Sequence, residues 1–82
     1  MKPVTYSRSA IKVLRRMPRN TAQRIIAKVD AYAADPAAQA NNVTALQGRS
    51  AIRLRVGDWR IIMEDGMVLA VLAIGPRGGI YE

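Results

Sequence analysis

The chain has 82 residues and a net charge of +7, and it contains neither cysteine nor histidine. That length holds one small domain, residues 1–82, around a single core. The composition excludes a disulfide framework, a thiolate metal site and the commonest acid–base side chain.

Lys2 to Tyr6 reads as a short strand, with Pro3 near its start. Ser7 is a candidate N-cap for a helix over about Arg8 to Met17, with an apolar stripe of Ala10, Val13, Leu14 and Met17 and with Ile11 beside it. Pro18 ends it. A second helix starts near Arg19 to Thr21 and carries the cleanest period in the chain: Ala22, Ile25, Ile26, Val29, Tyr32 and Ala33. Asp35-Pro36 closes it, because the residue before proline is pushed out of the α region. Residues 36 to 50 read as a loop, with Val43 and Leu46 tucked against the core.

Strand-like sequence follows. Apolar and basic residues alternate through Ile52-Arg53-Leu54-Arg55-Val56, the mark of a half-buried strand. Gly57-Asp58 turns the chain into Trp59 to Glu64, and Asp65-Gly66 is a hairpin signal before the apolar run Met67 to Ile74. Two-residue turns pair Arg55 with Arg60 and Arg53 with Ile62, then Glu64 with Met67 and Arg60 with Val71. Ile52, Leu54, Val56, Trp59, Ile61, Met63, Val68, Ala70, Leu72 and Ile74 then share one face. Arg53, Arg55, Arg60, Ile62, Leu69 and Val71 share the other. The expected fold is α+β in the order β-α-α-β-β-β, a helical hairpin packed on a small antiparallel sheet.

The charge is unusual in kind. Ten of the thirteen cations are arginine, the side chain that grips phosphate bidentately, so nucleic acid or an acidic protein segment is the expected partner. Arg8, Lys12, Arg15, Arg16, Arg19, Arg24 and Lys28 read as solvated helix faces. Arg53, Arg55 and Arg60 do not, because like charges facing across a ladder carry a cost. Gly75-Pro76-Arg77-Gly78-Gly79 lacks the Lys-Ser/Thr of a phosphate loop and precedes no helix. Asp58, Glu64 and Asp65 form no metal cluster, so neither metal nor cofactor is expected. Trp59 reads as core, and Tyr81, near the C-terminus among cations, as a phenol whose ionised form those cations favour. No apolar run approaches a membrane span and Met1-Lys2-Pro3-Val4 does not read as a signal peptide, so a cytoplasmic protein without membrane association is expected.

Leu46-Gln47-Gly48, then Ile52 to Ile62, then Ile74-Gly75-Pro76-Arg77 and Ile80-Tyr81 together resemble the RelE/ParE superfamily of bacterial toxins over essentially the whole chain. The resemblance implies the RelE-like, microbial RNase type of fold, and the toxin of a type II toxin–antitoxin system. It also implies a cognate antitoxin with an acidic or amphipathic segment. The RelE branch cleaves mRNA in the ribosomal A site, whereas the ParE branch poisons DNA gyrase and lacks the RNase residues. The RelE positions are filled by Arg53, Arg55, Arg60, Arg77 and Tyr81, which favours an endoribonuclease, with gyrase poisoning by protein binding as the alternative.

Within that resemblance, the implied reaction is metal-free attack of a ribose 2′-hydroxyl on the adjacent phosphate. Arg60 and Arg77 would hold the scissile phosphate, Arg77 nearer the leaving group. Arg53 and Arg55 would orient the substrate and lower the pKa of Tyr81. The RelE type often has lysines at the positions of Arg53 and Arg55, and arginine effectively keeps its proton. Tyr81 is therefore left as proton acceptor or as a platform for a base.

Overall fold

In the computed structural model, the structure describes residues 2–46 and 50–78. Strand β1 spans Val4–Tyr6, helix α1 Arg8–Arg16 and helix α2 Arg19–Ala34. A 3₁₀ segment, Pro36–Asn42, leads into β2, Val43–Ala45, and then come β3 Ala51–Val56, β4 Trp59–Asp65 and β5 Leu69–Pro76. The five strands form one sheet in the order β1-β5-β4-β3-β2. Architecture and chain order agree with the α+β expectation, with two additions.

The first addition is β2. The stretch expected to be a loop contains the 3₁₀ segment and an edge strand, which pairs antiparallel with β3, Val43 against Leu54 and Thr44 against Arg53. A three-residue strand has no period long enough to read from sequence; the neighbour β3 supplies its hydrogen bonds. The second is that β1 runs parallel to β5, with Val4 opposite Leu69, in a sheet whose other pairings are antiparallel.

Helix α1 starts where expected. The Ser7 hydroxyl oxygen accepts from the Ala10 amide at 3.1 Å, satisfying one of the orphan donors of the first turn. The same hydroxyl donates to the Leu72 carbonyl at 2.7 Å, and the Ser7 amide donates to the Val71 carbonyl at 2.9 Å, so the cap also pins α1 to β5. Ala10 and Met17 of the expected stripe are buried, with Val13 and Leu14 packed at the rim. On α2, Ile25, Val29, Tyr32 and Ala33 are buried. Ile11 and Ile26, counted with those stripes, are instead 38% exposed, since each lies at the edge of its helical face.

Against the helices the sheet presents Leu54, Val56, Ile61, Met63, Leu69, Val71 and Ile74. The β3–β4 register is as the sequence reading places it, from Val56 opposite Trp59 to Arg53 opposite Ile62. The β4–β5 register is not. Glu64 faces Ala70 rather than Met67, Ile62 faces Ala73 rather than Leu69, and Arg60 faces Gly75 rather than Val71.

The reason lies at both ends of the pairing. Asp65 stays in β4, held by Lys2 and by the Tyr32 hydroxyl at 3.2 Å, so the connection is Gly66-Met67-Val68 instead of two residues. This odd shift turns Leu69 and Val71 towards the helices and leaves Val68 41% exposed. Leu72 is then an extra residue on β5 between the Met63–Val71 and Ile62–Ala73 pairs, a β-bulge whose carbonyl is taken by the Ser7 hydroxyl. The bulge restores the alternation, so Ile74 faces the core as expected while Val68, Ala70 and Leu72 do not.

Candidate phosphate-binding site

Arg53 and Arg55 lie on β3 and Arg60 on β4, all on the sheet face turned away from the helices. Arg55 and Arg60 are directly opposed across the ladder. On the other flank of Arg60 stands Gly75, which has no side chain to cover it. The Arg60 guanidinium donates through Nη1 to the carbonyls of Gly57 and Trp59, each at 3.0 Å. These bonds fix the side chain over the β3–β4 turn and, among the described residues, leave its other N–H groups available. The Arg77 amide donates to the Asp58 carbonyl at 2.6 Å, so the end of β5 is tied to the same turn.

A cleft of about 440 Å³ opens at this point. Arg55, Arg60 and Arg77 line it, together with Arg24 and Lys28 from α2. Asn42, from the 3₁₀ segment, closes one side, and its Oδ1 lies 3.5 Å from Arg55 Nη2. Among the described residues, five cations and no carboxylate line the space. Among the described residues the ion pair is Lys2 with Asp65, at the other end of β4. A second hollow of about 130 Å³ is lined by Arg53, Arg55 and Arg60 with Asn41, Asn42 and Thr44.

Four of the five residues singled out in the sequence are thus gathered around one opening: Arg55, Arg60 and Arg77 in the cleft, and Arg53 in the adjoining hollow. Tyr81 lies outside the described residues. Arg24, Lys28 and Asn42 were not anticipated. The first two read as a solvated helix face, and Asn42 lay in an apparent loop. Only the packing of α2 and the 3₁₀ segment beside β3 brings them to the arginines, and the exposed arginine at helix position 24 had no distinguishing local signal.

Such an array suits one chemical class of ligand. Guanidinium groups match phosphate oxygens bidentately and stay charged at every physiological pH. Concentrating them without counter-charges raises the local potential for anions.

With that geometry in place, comparison with known proteins is informative. The family described as "ParE toxin of type II toxin-antitoxin system, parDE" matches residues 4–81. The chain belongs to the RelE/ParE superfamily of toxins. No curated protein matches this toxin by sequence. Among solved structures, the RelE–RelB complex from Pyrococcus horikoshii is similar at 25% identity and a TM-score of 0.80, over 95% of this chain and 97% of that one. The intact RelBE complex of E. coli is similar at 16% identity, with a TM-score of 0.76 over 93% of this chain and 96% of that one. The RelB–RelE complex from Methanococcus jannaschii gives 20% identity and 0.73, over 94% of each chain. The RelE/ParE toxin fold described here is therefore shared nearly end to end. Among its described residues, no helix is long and apolar enough to cross a membrane.

Proposed function

We propose that this toxin is an endoribonuclease that cleaves mRNA, with the arginine cleft holding the scissile phosphodiester and with the ribosomal A site presenting the RNA. The observation that carries the reading is the convergence of Arg55, Arg60 and Arg77 on one cleft that, among the described residues, is lined by no carboxylate. In the reaction, the 2′-oxygen forms a bond to phosphorus and the bond from phosphorus to the 5′-oxygen breaks. The 2′-hydroxyl loses its proton, the departing 5′-oxygen gains one, and a 2′,3′-cyclic phosphate is left. Negative charge grows on the phosphorane oxygens, where fixed guanidinium donors lower the barrier by about 3–4 kcal/mol per donor. Arg60 and Arg77 serve the phosphate, Arg53 and Arg55 orient the strand, and Tyr81 accepts the 2′ proton or stacks on a base. The partner is a cognate antitoxin, as RelB is for RelE in the similar complexes; an acidic segment of it suits this cleft.

The test is mapping of RNA ends after brief induction, and in a reconstituted translation reaction. Arg60→Ala and Arg77→Ala should each reduce cleavage about 10²- to 10³-fold while the protein stays folded. Full toxicity in both variants would remove the site. The ParE family match supports a second reading, a protein-binding gyrase poison. Relaxed or broken DNA in the presence of gyrase, with intact mRNA, would select it.

A further inference from the structure

A third hollow, of about 180 Å³, adjoins the β3–β4 turn and is lined by none of Arg55, Arg60 and Arg77. Thr21 and Ile25 of α2 form one wall, and Asp58 and Trp59 form the other. It shares Arg24, Val56 and Gly57 with the large cleft, just as the large cleft shares Arg55 and Arg60 with the hollow beside Arg53. The three openings therefore adjoin one another around the turn. Gly57 lies between the large cleft and the third hollow; its φ is +57°, and a β-carbon on it would come within 3.0 Å of Arg24 Nη2. The guanidinium of Arg24 thus crosses the glycine and belongs to both openings. Beyond it the wall changes character: Trp59, half-buried and packed against the core, lines the hollow together with that cation.

A cation at the boundary followed by an aromatic wall matches the alternation of phosphate and base along a single strand. We propose that the hollow formed by Thr21, Arg24, Ile25 and Trp59 is a subsite for the nucleotide next to the scissile phosphate, with Arg24 gripping the flanking phosphate and Trp59 receiving the base. The proposal rests on the reading of the arginine cleft as an RNA site and extends that site beyond a single phosphodiester. Arg24 is exposed and lies outside the buried core. Lys28 provides the comparison, because it lines the large cleft but not the third hollow.

The experiment measures binding rather than cleavage, by fluorescence anisotropy. The probes are a labelled RNA dinucleotide carrying 2′-deoxyribose at the cleavage position and the same unit extended by one nucleotide at each end. The wild type should bind the longer probe about tenfold or more tightly than the shorter one, the effect of one added charge-assisted contact. Its dependence on log salt should be steeper by about 0.7 for each phosphate gained. Arg24→Ala should abolish the preference for the longer probe and the extra salt slope. Lys28→Ala should weaken both probes while keeping their ratio. An unchanged ratio in Arg24→Ala would overturn the subsite while leaving the arginine cleft intact as an RNA site. Failure of the wild type to bind either probe would overturn the RNA reading itself, and the subsite with it.

Discussion

Arg55 and Arg60 stand directly opposite each other on adjacent strands, and neither is paired with a described carboxylate. Two cations in that relationship repel, at a cost of up to about 1 kcal/mol on the scale of cross-strand pairs. A fold selected for stability alone would place a threonine or a glutamate at one of the two positions. Replacing Arg55 by Thr should therefore raise the urea midpoint, by an amount equivalent to about 0.5–1 kcal/mol, while weakening the proposed RNA cleavage. Added salt should stabilise the wild type more than the variant, because it screens the repulsion. A lower midpoint for the variant would show that the pair is not under strain.

Gly57 occupies the left-handed region at φ +57°, with Arg24 against it. An L-residue there costs about 1–2 kcal/mol from its own backbone. Gly57→Ala should lose that much stability, read as a lower thermal midpoint. Equal stability would mean that the turn relaxes freely and does not set the crossing of Arg24.

Lys2, Tyr32 and Asp65 join the N-terminal strand, α2 and the far end of β4. Lys2 bonds Asp65 and also donates to the Gly66 carbonyl at 2.7 Å, and Tyr32 donates to the other Asp65 oxygen. The hydrogen bond from Lys2 is the main cause that holds the Asp65 carboxyl below its ordinary pKa; burial opposes it, and the Tyr32 hydroxyl and the Lys2 charge assist. The unfolded chain then binds the extra proton first on acidification. The stabilisation is complete above the unfolded value of about 3.9 and disappears as pH falls through the lower folded value. Lys2→Ala should cost about 0.5–1 kcal/mol at neutral pH, a deficit that closes in acid. A deficit that persists unchanged in acid would assign the loss to packing instead of to the ion pair.

The Tyr6 hydroxyl is buried without a hydrogen-bond partner, and burial, with the Asp30 charge second, pushes its pKa up to about 12. Tyr6→Phe should be neutral or more stable by about 1 kcal/mol at pH 7, since it removes an unsatisfied polar atom. Above pH 10 the unfolded phenol ionises while the folded one keeps its proton, so the wild type loses stability from there up to about pH 12. The variant lacks that loss. Urea melts of both proteins across this range would show the curves diverging, and parallel curves would exclude the phenol as their cause.

The amino-acid sequence by itself determined which segments become helices and which become the central strands. It also determined the Arg55–Arg60 opposition, because periods of 3.6 and 2, the Ser7 cap and the Gly57-Asp58 turn are local properties. It could not determine β2, whose three residues are strand only because β3 offers a partner. Nor could it fix the β4–β5 register. With a two-residue turn at Asp65-Gly66, Ala73 would stand opposite Asp58, and Arg77 would lie four residues, about 13 Å, further along. The longer connection, set by the hold of Lys2 and Tyr32 on Asp65, and the bulge at Leu72 together shift β5 by those four residues. Arg77 thereby reaches the turn, where its amide meets Asp58. Arg24 and Lys28 likewise join the cleft only through the docking of α2. Distances between residues far apart in the chain are decided by packing and pairing, and the composition of this cleft is a property of that kind.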